Sequence, residues 1–306
     1  MINATPFTTL NLSNPADSDI KFKRFAFPDG TPHLAIDTEA LSIRGLLANA
    51  RILIRARVRS MSDFMDILLA NDALRRFGFE YISLWLPAFP GARQDRVCVP
   101  GEPLTVKVFA ELVNACAFDD VYIMTPHSDV TPALIDRVRL MEYDAEHIRI
   151  IIDRMKWNLH ELHGINIIYP DAGSAKRIDA LIKKVLDEYD PSDPAPKLHL
   201  IKCEKSRDLA TGKLDGFLVM ADDLGGRPSL IIDDVIAYGG TFIGLAKKLR
   251  EKNSGPITLY TSHADCTAGL LNVANELDFV ISTNSHDFFD ADPEIMAKPN
   301  ISIFKL

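Results

Sequence analysis

The chain has 306 residues, 47% hydrophobic and 25% charged, enough apolar surface for one large or two ordinary domains. These figures exclude a disordered chain and a small module that depends on staples. Thirty-four Lys and Arg against forty-two Asp and Glu leave a formal charge of −8, which disfavours unspecific attraction to nucleic acid or to an anionic membrane. Cys98, Cys116, Cys203 and Cys266 lie far apart, with no CxxC pair and no zinc-type His spacing, so neither a metal knuckle nor a disulfide framework is expected. The N-terminal stretch lacks a basic region leading into an apolar one, and no apolar run approaches the roughly 18 residues of a membrane span. The expectation is a cytoplasmic protein with no nucleic-acid or membrane partner.

Short β-branched runs alternate with longer amphipathic stretches, the pattern of mostly parallel sheets covered by helices. In chain order we expect strand 50–58, helix 62–77, strand 81–88, helix 105–115, strand 120–125, helix 153–163, strand 165–170 and helix 175–189. Strands 197–203 and 229–234, helix 241–252, strand 257–263, helix 264–277 and strand 279–284 follow. In the helix opened by Thr241, the positions Ile243, Ala246, Leu249 and Arg250 follow an i, i+3 rhythm. Between 141 and 150 charge concentrates and strand patterning lapses, which predicts two α/β domains, 1–145 and 146–306. DPSDPAPK at 190–197 reads as a proline-rich loop.

The most informative segment is SLIIDDVIAYGGTFIGLAKKL, residues 229–249. An apolar strand ends in Asp233 and Asp234, a loop carries Ala237, Tyr238, Gly239 and Gly240, and Thr241 opens a helix. Ligands of open α/β sheets bind at the carboxyl ends of strands, and glycines before a helix N-terminus let backbone N–H groups approach an anion. Paired carboxylates suit vicinal ribose hydroxyls, since each oxygen accepts a hydrogen bond. In a second segment ARQDR, 92–96, follows a strand; Arg93 and Arg96 offer planar forks to phosphate oxygens and Gln94 adds neutral donors.

The first segment resembles the phosphoribosyl diphosphate (PRPP) motif shared by type I phosphoribosyltransferases and ribose-phosphate pyrophosphokinases, the PRPP synthetases. ARQDR is similar to a block found in the pyrophosphokinases alone. Further similarities run along nearly the whole chain in family order: RFAFPDG at 24–30, TPHSD at 125–129, YPDAGSAKR at 169–177, KSR at 205–207 and LYTSHADCTAGLLNVANE at 259–276. The resemblance implies two tandem type I phosphoribosyltransferase-like (Rossmann-like) domains. It also implies Mg²⁺, ATP as diphosphate donor, a ribose 5-phosphate unit as acceptor, and a homo-oligomer, dimer or hexamer, with 72–77 and 89–91 near subunit contacts. Its implied roles are Phe27 and Asp29 on adenine, and Arg93, Gln94 and Arg96 on the ATP phosphates. His127 and Asp171 would serve at the metal, His127 also beside the phosphates. Lys205 and Arg207 would close on the transferring diphosphate. Asp171, Asp233, Asp234 and the loop Ala237, Tyr238, Gly239, Gly240 and Thr241 would hold ribose and its phosphate.

Several positions depart from the family pattern. Ala237 and Tyr238 stand where the ribose loop usually has an acid and a small hydroxyl residue, Thr125 replaces an acid two positions before His127, and Thr31 replaces a glutamate near the adenine. The joint change at 237 and 238 turns the expected acceptor towards ADP-ribose, as in phage-associated relatives that rebuild NAD in the host cytoplasm; ordinary ribose 5-phosphate is the alternative. Two other readings are a PRPP-consuming phosphoribosyltransferase and a silent PRPP-synthetase-associated subunit.

Overall fold

The structure, a computed structural model, describes residues 7–39, 50–157, 164–190, 192, 196–207, 214–287 and 289–306, with the side chains at 157, 205–207, 214 and 215 outside that description. It divides into two compact units, Met1–Met141 and Glu142–Leu306. The division falls four residues before the expected boundary (145 − 141 = 4).

In chain order the first unit carries β1 (Thr8–Asn11), β2 (Phe22–Ala26), β3 (Pro32–Ile36), β4 (Arg51–Arg55), α1 (Met61–Phe77), β5 (Tyr81–Trp85), α2 (Thr105–Ala115), β6 (Val121–Met124), α3 (Val130–Leu134) and β7 (Val138–Met141). A five-stranded parallel sheet runs β1-β4-β5-β6-β7. Helix α1 starts where Ser60 caps it: the Ser60 hydroxyl accepts from the Asp63 N–H at 3.3 Å, and the Asp63 carboxylate accepts the Ser60 N–H at 2.9 Å. It stops at Gly78, whose φ of 106° suits a residue without Cβ. Phe64, Ile67, Ala70 and Leu74 bury its inner face. The antiparallel hairpin β2–β3 is fastened to α1 by Arg24, whose Nε lies 2.6 Å from Asp66. Burial pushes the Asp66 carboxyl above its ordinary range and the Arg24 guanidinium draws it back. The hairpin, β1, α3 and β7 are absent from the expected elements; each strand or helix among them is only four or five residues long, too short to show a periodic pattern.

The second unit carries α4 (Asp144–Trp157), β8 (Ile165–Tyr169), α5 (Ala175–Asp187), β9 (Leu198–Arg207), β10 (Leu214–Val219), β11 (Ser229–Ile236), α6 (Gly240–Glu251), β12 (Ile257–Ala264), α7 (Thr267–Ala274), β13 (Phe279–Thr283), α8 (Pro293–Met296) and β14 (Ile301–Phe304). Its seven-stranded sheet runs β10-β9-β8-β11-β12-β13-β14, with β10 the single antiparallel strand. Both faces are covered, which explains the near-continuous apolar runs. Ile165, Ile167, Leu230, Ile232 and Tyr260 pack with residues of α4 and α5, while Ile168, Ile231 and Leu259 pack with those of α6 and α7.

Three expectations are corrected here. The helix expected over 153–163 is α4, Asp144–Trp157, and 158–163 lie outside the described residues. Ala145, Ile148, Ile151 and Ile152 are its buried apolar positions; Asp144 and His147 are buried with them, while Glu146 and Arg154 are exposed and give the stretch its charged pattern. In α6 the buried positions are Phe242, Leu245, Ala246 and Leu249, with Ile243 half-buried and Arg250 exposed, so the stripe is set by i, i+3, i+4, i+7 rather than by the i, i+3 rhythm. Helix α7 begins at Thr267 because β12 carries on through Ala264.

Candidate functional site

Strand β11 is fully buried from Ser229 to Ile232, and Asp233 follows with a side chain only 16% exposed. Two donors converge on one of its oxygens: Arg177 Nη2 at 3.1 Å and the Asp234 N–H at 2.9 Å, both on Oδ1. Burial, with the Asp234 carboxylate beside it, pushes the Asp233 carboxyl up to about 7, and the Arg177 guanidinium opposes that rise. The loop that follows rests on α7. The Cys266 thiol reaches the Ala237 carbonyl at 3.7 Å and Asn272 Nδ2 reaches the Tyr238 carbonyl at 3.4 Å. The Tyr238 ring is 75% exposed.

Gly239, at φ 85°, caps α6 and accepts the N–H groups of Phe242 and Ile243 at 3.0 and 3.1 Å. A Cβ there would stand 2.2 Å from Val273 Cγ2, whereas one at Gly240 meets nothing within 4 Å. Gly239→Ala is therefore expected to cost roughly 2–4 kcal/mol, from the left-handed backbone and overpacking together. Gly240→Ala is expected to leave stability unchanged; urea denaturation of the two variants provides the comparison. Thr241 follows in the first turn of α6, half-buried.

Asp171 lies in the turn between β8 and α5. Its Oδ1 accepts the Ser174 N–H at 3.0 Å, and the Ser174 hydroxyl donates to the Asp171 carbonyl at 2.8 Å. Tyr169 ends β8 and pairs with Lys202 of β9, but β9 continues to Arg207, paired with β10 alone over its last residues, Phe217 opposite Lys205. The backbones of Lys205 and Arg207 thus extend past the carboxyl end of β8; their side chains lie outside the described residues.

In the first unit, β5 leads into the turn holding ARQDR. Gly91, at φ 73°, accepts the Gln94 N–H at 2.8 Å. Arg93, Gln94 and Arg96 are exposed while Asp95 between them is buried. The Ser128 hydroxyl beside Asp95 holds its carboxyl below the usual range against burial, helped by Arg96 and His127, and Arg96 Nε lies 3.2 Å from Asp95 Oδ1. Asp95 thus ties the loop after β5 to the loop after β6. His127, exposed, leaves β6 through Thr125 and Pro126, and Thr125 has φ 36°. For a β-branched residue that backbone is strained. Trp85, at the end of β5, lies against Arg55 and buried Arg57, at 4.7 and 5.0 Å.

Phe27 and Asp29 occupy the tip of the β2–β3 hairpin. The Phe27 ring, 48% exposed, sits 5.4 Å from Phe25 and 5.6 Å from His33. Asp29 Oδ1 accepts the Thr31 N–H at 2.9 Å, and that bond lowers its carboxyl. The expected contact surface at 89–91 is corrected at Phe89, which is buried in the core.

Among the described residues no group of three or more His, Cys, Asp or Glu gathers into a metal-binding set, and no helix is long and apolar enough to cross a membrane. Sequence reasoning passed over Asp95 and Arg177, although both stand inside the motifs it quoted. The partner of Arg177 lies 56 residues away along the chain, a pairing that no local pattern signals.

No family model matches the chain. It is similar to the ribose-phosphate pyrophosphokinase of Agrobacterium fabrum, 27% identical over 205 residues, covering 67% of the chain and 61% of the relative. That of Ureaplasma parvum is 27% identical over 214 residues, covering 69% and 60%, so the chain spans about three fifths of the length of these two relatives. That of Thermococcus kodakarensis is 26% identical over 271 residues, covering 87% and 85%. The crystal structure of phosphoribosylpyrophosphate synthetase from Mycobacterium smegmatis shares the fold, with TM-score 0.72 at 20% identity, covering 95% of this chain and 88% of that one.

Proposed function

Because the chain is a homologue of the ribose-phosphate pyrophosphokinases, we propose that it is a pyrophosphokinase that moves the β,γ-diphosphate of ATP onto the anomeric 1-hydroxyl of a ribose 5-phosphate unit. The observation that carries this reading is the acid pair near the carboxyl end of β11, with Asp233 clamped by Arg177, in the strand that leads to a glycine-capped helix. The 1-hydroxyl oxygen attacks the β-phosphorus, the bond from that phosphorus to the bridging oxygen of the α-phosphate breaks, AMP leaves, and the hydroxyl proton passes to solvent. Positioning and neutralisation of charge dominate such a transfer.

Asp171, Asp233 and Asp234 orient the ribose, while the start of α6 receives its phosphate at Gly239, Gly240 and Thr241. Arg93, Gln94 and Arg96, braced through Asp95, receive the ATP phosphates with His127, and Phe27 offers an exposed ring to the adenine beside Asp29. Lys205 and Arg207 act on the diphosphate in transfer. Bound Mg²⁺ supplies neutralisation of the polyphosphate charge. It commonly keeps several waters and takes one or two carboxylates plus substrate phosphates, a demand that the hard oxygens of Asp171 fit better than the His127 nitrogen. The working form is a homo-oligomer.

Ribose 5-phosphate is the acceptor that the relatives' names support. Tyr238 favours a second reading, ADP-ribose: its exposed side chain offers a stacking face to a group carried on the 5-phosphate. Purified protein given ATP, Mg²⁺ and each acceptor in turn, with AMP measured by chromatography, decides between them. AMP with ribose 5-phosphate supports the first reading and AMP confined to ADP-ribose the second. No AMP with either overturns both and favours a silent subunit.

A further inference from the structure

We propose that Arg177 is a positioning residue of the acceptor site, locking one oxygen of Asp233 so that the other faces the ribose hydroxyls. The proposal rests on the pyrophosphokinase reading above. Its basis is the way one short turn controls both sets of acids. The turn that pins Asp171 through Ser174 also launches α5, and Arg177 is the third residue of that helix. From there its guanidinium crosses to β11 and bonds Asp233 Oδ1 at 3.1 Å. The Asp234 N–H takes the same oxygen at 2.9 Å, so Oδ2 stands outside both bonds.

The carboxylate plane is therefore fixed from one side by a donor on a helix and from the other by its own strand. The Arg177 side chain is 28% exposed, yet its Nη1 is buried and has no hydrogen-bond partner among the described residues. A guanidinium that served only to join α5 to β11 would gain from satisfying both nitrogens, and a buried donor left unpaired in a native structure calls for a reason. Here the reason is the geometry imposed on Asp233. A lysine offers a point charge on a flexible stem and does not reproduce a planar fork.

The test uses the full-length wild-type protein with Arg177→Lys and Arg177→Ala, each checked by thermal melting. AMP release gives KM for ATP and for the acceptor separately, and calorimetry gives the affinity for ribose 5-phosphate and for ADP-ribose without turnover. The expected result is a rise in acceptor KM of about 10- to 100-fold in both variants, with KM for ATP unchanged. Added guanidinium is expected to recover part of the loss in Arg177→Ala and none in Arg177→Lys. Equal rises in both KM values, unchanged acceptor KM in a destabilised variant, or failure of both variants to fold would assign Arg177 a structural role and overturn the proposal. Wild-type protein that binds an acceptor but releases no AMP removes the pyrophosphokinase reading while leaving the affinity comparison to decide Arg177. Wild type that does neither removes both.

Discussion

Lys205→Ala is expected to lower kcat by about 10³-fold while KM for ATP changes by less than about threefold, the pattern of a charge that meets its partner only in the transition state. The backbone supports this placement. Strand β9 is held by β8 as far as Lys202 opposite Tyr169, and beyond that its ladder neighbour is β10. At about 3.3 Å per residue the Cα of Lys205 stands roughly 10 Å past the last residue paired with β8. Asp171 follows the end of β8, and Asp233 lies inside β11 two residues past its last pairing with β8, Ile231 opposite Ile168. Opposite Lys205, Phe217 of β10 is buried in the core beside Gly244 of α6, so the ribbon is anchored there while β9 past Lys202 has β10 as its ladder neighbour among the described residues. Steady-state kinetics of Lys205→Ala with both substrates varied provides the measurement. A loss shared equally between kcat and KM for ATP would place Lys205 in ground-state binding instead.

How far such a site can be read from sequence depends on the reach of each interaction. The run from Ser229 to Ile232 followed by two acids was legible because a strand buried on both faces leaves an uninterrupted apolar signature. The Gly239 turn was legible too, since its φ of 85° is one that other residues adopt only under strain. Helix α4 was not, because its apolar positions are interleaved with Asp, Glu and Arg and the eye takes charge for a linker. Asp95 was passed over inside ARQDR because its exposed neighbours Arg93 and Arg96 carry the obvious phosphate chemistry. Its importance comes from Ser128 and His127, on the next strand's loop. The strain at Thr125 is likewise invisible locally: a threonine before Pro126 predicts extended backbone, and the structure gives φ 36°.

Asp233→Asn should make the protein more stable at neutral pH while abolishing turnover. The native carboxyl is raised from 3.8 to about 7 by burial and by Asp234. Between those values the folded protein therefore holds a proton that the unfolded chain has released. The sign follows from linkage: this group's favourable contribution is complete below pH 3.8 and is lost as pH rises to about 7. Asparagine is neutral throughout, keeps an oxygen for Arg177 Nη2 and the Asp234 N–H, and escapes that loss. The expected gain is absent near pH 4, grows through pH 5 and 6, and levels off above 7 at on the order of 4 kcal/mol. Thermal melts of wild type and variant across that range measure it. A variant less stable than wild type at pH 8 would mean that the Arg177–Asp233 ion pair outweighs the burial of the two acids. A gain would mean that the acid pair is kept ionised against the interest of the fold, as expected of groups retained for what they bind.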